Sequence, residues 1–511
     1  MDIRSAQKGG NAMKNERIST GIKGLNEILG GGFMPSSSYL IVGGPGTGKT
    51  VLSLQFLSES AKRKARCLLI TFAEPEETIR RNAAVFGWDL SGITIVDFSK
   101  TAPEDLASGE YTVFSPSEVE TEPVWKRIYQ ALEAHAPERL VIDSATYLRY
   151  LSTDEYQYRK QIQGLANQLS AKKCLSLLLF EPIELEKDNA LALAVDGVLT
   201  LRNDISENQL AEIRTVEINK MRGSSFMSGR HPLRITRQGV TVWPHRIATL
   251  KKYAYERKHL ASGIAGLDQM LAGGVHTGTC TLISGPAGAG KTTLALQFLI
   301  TAAANGHKGV IYTFEEGLAS MLERCNALSI PLEKRLEDGS LLVREINPLE
   351  RYPDEFLEML RQDMEKNSAD VFILDSLRGY NLAMEAFGSV ITNMQNIINY
   401  VRRNRASLFI VNEQEKITGD LQITDLGVSY VADNVILIRY AEVYGQVIKV
   451  INCLKKRLGN HQPELRELKI TEQGLEVGDK LVNLRGLLTG VPTHDTAKDQ
   501  TAPAGEKAHE K

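Results

Sequence analysis

Two glycine-rich stretches, GGPGTGKT (Gly43–Thr50) and GPAGAGKT (Gly285–Thr292), hold the residue types that cradle phosphate. Glycines let a backbone wrap an anion with inward-pointing N–H groups, and a helix N-terminus behind the loop favours negative charge. Lys49 and Lys291 are the residues to reach the β- and γ-phosphates of ATP, and Thr50 and Thr292 those to ligate Mg²⁺. Gly43, Gly44, Gly46, Thr47 and Gly48 complete the first ATP-binding set; Gly285, Gly288, Ala289, Gly290 and Thr293 complete the second. Each loop follows a short apolar run, Tyr39–Val42 or Thr281–Ser284, and precedes an apolar helical pattern, the context this motif requires.

Asp143 in RLVIDSA and Asp375 in VFILDSL each end a hydrophobic run. A strand tip there faces the nucleotide and suits the carboxylate that supports the magnesium shell. Between loop and aspartate lies TFEE, where Glu315 and Glu316 suit a general base for a water or hydroxyl attacking the γ-phosphate. The first half reads TFAE, so Ala73 stands opposite Glu315 and Glu74 alone remains as its catalytic carboxylate. This predicts a slower first site, and a glutamate at position 73 is expected to speed it.

These sites recur because the chain is written twice. STGIKGLNEILGGG, LIVGGPGTGKTVLSLQFL and CLLITFAE match ASGIAGLDQMLAGG, LISGPAGAGKTTLALQFL and GVIYTFEE, with Lys49 and Lys291 separated by 242 positions. At Asp143 and Asp375 the separation is 232. A period this long means tandem domains, and short apolar runs alternating with helical patterns imply a mainly parallel central sheet flanked by helices in each. The expected divisions are a disordered tail over 1–14, a first domain over 15–247, a linker over 248–258, a second domain over 259–480, and a loop and disordered tail over 481–511.

The 511 residues are 42% hydrophobic and 24% charged with a formal net charge of −2, which gives no general pull toward nucleic acid or an anionic membrane. No apolar run approaches the roughly 20 residues a membrane span needs. The start lacks a signal peptide's apolar core, and the five cysteines are scattered without a CxxC spacing, as in a reduced cytoplasmic protein.

Together the P-loops, TFEE, the hydrophobic-Asp-Ser tips and the duplication resemble the KaiC family of double-domain ATPases, from about Arg17 to Pro492. The resemblance implies two tandem RecA-like P-loop NTPase domains in an α/β fold, binding ATP and Mg²⁺ in a homohexamer of two stacked rings. It implies a slow ATPase in the first domain and serine/threonine autokinase and autophosphatase activity in the second. KaiB-like, KaiA-like or other signalling proteins are the implied partners. Residues that reach a neighbour's nucleotide correspond to Lys220, Arg222 and Ser224 in NKMRGSSF and to Lys455 and Arg457 in CLKKRLGNH, where Leu458 replaces the family's glycine. The phosphorylation site corresponds to Ser429, with Tyr430 in place of the family's threonine and Thr424 nearby; the first half has Ala192 and Leu193 there. Two rivals share the motifs: a RecA- or DnaB-like DNA-handling ATPase, which would need a basic strand-binding loop, and a scaffold that uses ATP only to assemble.

Overall fold

Runs such as SYLIV (Ser38–Val42) and CTLISG (Cys280–Gly285) contain no alternation of apolar and polar residues. That pattern suits strands covered on both faces, the condition of a parallel sheet between helix layers. The computed structural model describes residues 17–99, 122–150, 155–182, 189–206, 212–246, 257–347, 351–414, 430–443, 445–482, 484–485 and 493–494. The chain divides into two compact units, Met1–Arg246 and Ile247–Lys511. Both are RecA-like α/β domains.

In the first unit the strands are β1 Ser38–Val42, β2 Cys67–Thr71, β3 Ile93–Asp97, β4 Arg139–Asp143, β5 Leu175–Phe180, β6 Gly197–Ile205, β7 Glu212–Met221, β8 Arg230–Thr236 and β9 Gly239–Val242. They form one sheet in the order β3-β2-β4-β5-β1-β6-β7-β8-β9. The pairs from β3 to β6 are parallel, and β7, β8 and β9 continue it antiparallel. The helices that matter below are α1 Lys23–Ile28, α2 Lys49–Lys62, α3 Glu76–Val85, α4 Glu122–His135 and α5 Glu155–Ala171.

The second unit repeats the plan. After a short hairpin of β10 His259–Leu260 and β11 Val275–His276 come β12 Cys280–Gly285, β13 Gly309–Thr313, β14 Leu341–Glu345, β15 Val371–Asp375 and β16 Ser407–Glu413. The sheet is completed by β17 Asn434–Val443, β18 Gln446–Lys456, β19 Arg466–Thr471 and β20 Gly474–Lys480, in the order β14-β13-β15-β16-β12-β17-β18-β19-β20. Its helices include α6 Ala265–Met270, α7 Lys291–Ala304, α8 Leu318–Ala327, α9 Pro353–Lys366, α10 Leu377–Met384 and α11 Val390–Arg403.

Each sheet separates two apolar cores. Tyr39 and Ile41 of β1 point into one cluster with Leu52 and Phe56 of α2, while Leu40 and Val42 point into the other with Trp125 and Ile128 of α4. Burial of successive side chains on opposite faces explains why apolar residues fill neighbouring positions instead of alternating with charged ones. All five cysteines are buried and free, and burial pushes their thiols up, to about 11 for Cys67, Cys325 and Cys453 and about 12 for Cys174 and Cys280. Among the described residues, no helix is long and apolar enough to cross a membrane.

The repeated GLNEILGGG and GLDQMLAGG phrases have a packing role. A Cβ on Gly24 of α1 would lie 1.8 Å from the Val242 carbonyl oxygen at the end of β9, and one on Gly266 of α6 would lie 2.3 Å from that of Val477 in β20. Backbone meets backbone there, so neither neighbour can rotate aside. We expect Gly24→Ala to destabilise the first unit by about 1–3 kcal/mol or more, the usual cost of overpacking. Gly164→Ala, in α5 with open space around it, is expected to be neutral or to stabilise by about 0.5–1 kcal/mol. Calorimetry of the full-length chain, comparing the two variants, checks the contrast.

Candidate nucleotide sites

Both P-loops occupy the turn between a central strand and the helix that follows it, β1 to α2 and β12 to α7. The last loop glycines, Gly48 at φ +98° and Gly290 at φ +97°, adopt the left-handed conformation that glycine alone enters freely. Lys49 and Lys291 are the first residues of α2 and α7. Gly43, Gly44, Gly46 and Thr47 make the first turn, with Thr47 Oγ1 donating to the Gly44 carbonyl at 2.8 Å. Gly285 closes β12, and Gly288 and buried Ala289 lead into Gly290. The lysines rest on their own loops: Lys49 Nζ donates to the Gly43 and Gly44 carbonyls at 2.5 and 3.0 Å, and Lys291 Nζ to the Pro286 carbonyl at 2.7 Å. Burial lowers both ammonium pKa values, opposed by Asp143 and Glu181 around Lys49 and by Glu413, Asp375 and Glu315 around Lys291.

Asp143 and Asp375 are the last residues of β4 and β15, one strand removed from the P-loop strand. Thr50 Oγ1 donates to Asp143 Oδ2 at 2.6 Å, and Thr292 makes the matching bond to Asp375. Desolvation raises both carboxyls, Asp375 to about 6, while the threonine hydroxyl pulls each back down. A hydroxyl and a carboxylate in contact beside a phosphate loop are a hard-oxygen donor set of the kind Mg²⁺ takes with a nucleotide. The residues therefore fit the ion.

The second site is a cavity of about 480 Å³. Lys291, Thr292, Asp375 and Ser376 line one part of it; Glu315, Glu316, Arg324 and Glu413 bring charge, and Leu328 and Ile470 an apolar patch. The TFEE turn is held by its threonine: Thr313 Oγ1 donates to the Glu316 carbonyl at 2.7 Å and accepts from the Glu316 N–H at 3.2 Å. Thr71 does the same for Glu74, at 2.8 and 3.3 Å. Glu74 therefore corresponds to Glu316, and Ala73 to Glu315.

Glu315 accepts from Ser376 Oγ at 2.8 Å, and the same hydroxyl caps α10 by accepting from the Gly379 N–H. A Cβ on Gly379 would lie 2.5 Å from Phe314 Cβ and 3.1 Å from Glu315 Oε1. The glycine thus makes the room that Glu315 occupies. Its counterpart in the first unit is Tyr147, whose ring stacks on Phe72 with centroids 6.0 Å apart, while Ser144 Oγ turns to the Leu179 carbonyl at 3.4 Å. The first site lacks the glutamate and the glycine opposite it, and its serine is turned to another acceptor, which revises the expectation that Ala73→Glu alone would speed it.

Three features escaped the sequence reading: Arg324, the Gly379–Tyr147 exchange, and Glu181 and Glu413. The signal for the last pair was present, since both glutamates stand beyond equivalent strands at the 232 separation.

Lys455 and Arg457, at the end of β18, are not among the residues lining the cavity of the second unit. β17 runs parallel to β12 with Thr281 opposite Asn434 and Ser284 opposite Leu437, so β17 begins where β12 begins, while the P-loop lies where β12 ends. Lys455 Nζ donates to the Ala432 carbonyl at 2.7 Å and to that of Tyr430 at 3.5 Å, and Arg457 pairs with Asp433 at 3.4 Å. In the first unit Lys220 Nζ donates to the Ala192 and Val195 carbonyls at 2.5 and 2.7 Å, and Arg222 to that of Leu193 at 2.7 Å. Ser224 Oγ accepts from Arg17 at 2.5 Å. Where Gly223 turns left-handed at φ +71°, the second unit does so one residue later, at Gly459 with φ +76°, which accommodates Leu458. Ser429 and Thr424 lie outside the described residues. Tyr430 is 58% exposed, with its phenol accepting from Gln395 Nε2 at 2.5 Å.

The family model of the KaiC ATPase matches residues 18–247 and 260–482. The circadian clock oscillator protein KaiC of Prochlorococcus marinus is 27% identical over 500 residues, covering 95% of this chain and 97% of that protein. The circadian clock protein KaiC3 of Synechocystis is 26% identical over 499 residues, covering 94% and 95%.

Gly379→Ala is expected to push Glu315 off its place and lower ATP turnover by the second unit about a hundredfold, the scale of a 1 Å misplacement. Turnover in a Glu74→Gln chain, where the first site is silenced, reads this. In the first site Ala73→Glu is expected to gain nothing alone and to raise turnover only with Tyr147→Gly. Steady-state hydrolysis in a Glu315→Gln chain decides between those outcomes.

Proposed function

The chain belongs to the KaiC ATPase family, and from that premise we propose that it forms an ATP-assembled cytoplasmic hexamer of two stacked rings, hydrolysing ATP in the first unit and phosphorylating itself in the second. The carrying observation is the placement of Lys455, Arg457 and Tyr430 at the end of the sheet away from their own P-loop. From Thr281 to Gly285 the strand alone covers roughly 13 Å, at about 3.3 Å per residue. Cations so placed serve a nucleotide held by another copy, and Ser429 adjoins Tyr430 in the sequence. A contact in which one edge of a subunit meets the opposite edge of the next is head-to-tail, and closes into a ring when the rotation allows. Lys220, Arg222 and Ser224 take the same place in the first unit.

In the second unit the Glu315 beside the neighbour's ATP accepts the proton of the Ser429 hydroxyl. The serine oxygen attacks the γ-phosphorus of the neighbour's ATP, the bond to the β–γ bridging oxygen breaks, and ADP leaves. Lys291 and the trans cations Lys455 and Arg457 stabilise the charge on the transferring group. In the autophosphatase arm the phosphoserine ester breaks, either by transfer back to ADP, regenerating ATP and serine, or by attack of water, releasing inorganic phosphate and serine. Mg²⁺, held by Thr292 and Asp375 here and by Thr50 and Asp143 in the first unit, neutralises phosphate charge when bound. In the first unit Glu74 orients a water instead, and Ala192 and Leu193 offer no acceptor hydroxyl. Tyr430 is a poor acceptor: its phenol lies farther from the backbone than a serine hydroxyl and is tied to Gln395. The relatives' names add a clock or timing role, and the family resemblance suggests KaiB-like, KaiA-like or other signalling proteins as partners.

Native mass spectrometry is expected to show a hexamer with Mg²⁺ and ATP and smaller species without nucleotide, with Lys49→Ala disrupting assembly more than Lys291→Ala. An ATP-independent monomer would refute assembly by nucleotide. Intact mass and phosphosite mapping after ATP incubation are expected to place the dominant phosphate on Ser429. Ser429→Ala should remove most of it, Tyr430→Phe little, and Glu315→Gln nearly all. A dominant phosphate on Tyr430, or none after hours with ATP and Mg²⁺, contradicts the assignment.

A further inference from the structure

Arg324 stands eight residues after Glu316, and Asn82 stands eight after Glu74, so the two halves differ at one matched position beside the reactive carboxylates. Asn82 gives Glu74 a single neutral hydrogen bond, Nδ2 to Oε2 at 3.2 Å. Arg324 does far more. Its Nε and Nη2 donate to Glu316 Oε1 and Oε2 at 3.2 and 2.6 Å, and its Nη1 donates to Thr293 Oγ1 at 2.8 Å. Thr293 is buried in the first turn of α7, directly after the P-loop. The guanidinium is therefore fixed at three points, and it brackets Glu316 with the two-pronged geometry that holds a carboxylate most firmly.

A general base needs a lone pair aimed at the proton it takes and the freedom to reach it. Glu316 has both oxygens committed to a cation, and Ser320 Oγ adds a long bond to Oε1 at 3.5 Å. Glu315 has one neutral bond, from Ser376 to Oε1, and its Oε2 receives no hydrogen bond among the described residues. We propose that Arg324 is a positioning residue that withdraws Glu316 from the reaction, so that each half works through one carboxylate taken from opposite members of the pair: Glu74 in the first, Glu315 in the second. This deepens the phosphoryl-transfer reading above and rests on it. The adjacent glutamates are then a base and a strut, and the arginine decides which is which. If Arg324 merely tethers α8 to α7, removing it cannot create a base.

The test uses the full-length chain with Glu74→Gln throughout, which confines ATP turnover to the second unit. Phosphate release and intact mass are followed together. Glu315→Gln is expected to lower turnover about a hundredfold or more, and adding Arg324→Asn to restore at least tenfold of that loss by freeing Glu316. Adding Glu316→Gln as a third change should abolish the recovery. Arg324→Lys keeps the charge without bracketing both oxygens and should give a smaller recovery; it serves if the asparagine variant does not fold. The proposal is overturned if the variants bind a fluorescent ATP analogue and melt like the parent, yet are no faster than Glu315→Gln alone. A Glu74→Gln parent that neither consumes ATP nor gains phosphate defeats the phosphoryl-transfer reading itself, before Arg324 is touched, and this proposal falls with it.

Discussion

The bond between Thr50 and Asp143, repeated by Thr292 and Asp375, is the tie on which each site depends. It joins the helix behind a phosphate loop to a strand tip that is not its neighbour in the sheet, so it forms only if β1, β5 and β4 lie in that order and end level. The apolar cores above and below the sheet enforce the order. Burial makes the carboxylate costly, and the hydroxyl returns part of that cost. A buried carboxyl that desolvation disfavours in its charged form gains by an arriving cation.

Around that shared tie the halves have diverged in a connected way. Glu315, Ser376 and Gly379 form one set in the second unit; in the first Ala73 has no carboxylate, Ser144 turns to the Leu179 carbonyl and Tyr147 stacks on Phe72. Residues that touch across a turn change together because a glutamate without its space, or a space without its glutamate, helps neither site. The edge away from the P-loop diverged less. Lys220 and Lys455 grip equivalent carbonyls, those of Val195 and Ala432, each just before the matched Asp196 and Asp433.

Much of this was legible in the sequence, and the limit has a physical basis. The P-loops, Asp143, Asp375 and the TFEE turn announce themselves because their chemistry is local: a glycine at a left-handed φ, a carboxylate ending an apolar run. The strand order and the antiparallel continuation beyond β6 and β17 leave no such mark. Arg324 and Glu316 are eight residues apart, more than two helical turns, and a helix surface joins only residues three or four apart. Their meeting depends on the turn that folds Glu316 back onto α8. Gly379 reads as a poor helix residue until the side chain it spares is seen across from it.

One quiet feature has a practical reach. A thiol reacts as its thiolate, and the five cysteines of this chain are buried with their ionisation pushed far above neutrality. Buried in this way, the thiols are shielded from disulfide exchange and from peroxide at the surface. The same shielding leaves a clean background for labelling, in which a single cysteine introduced at an exposed position such as Tyr430 would answer a fluorophore by itself.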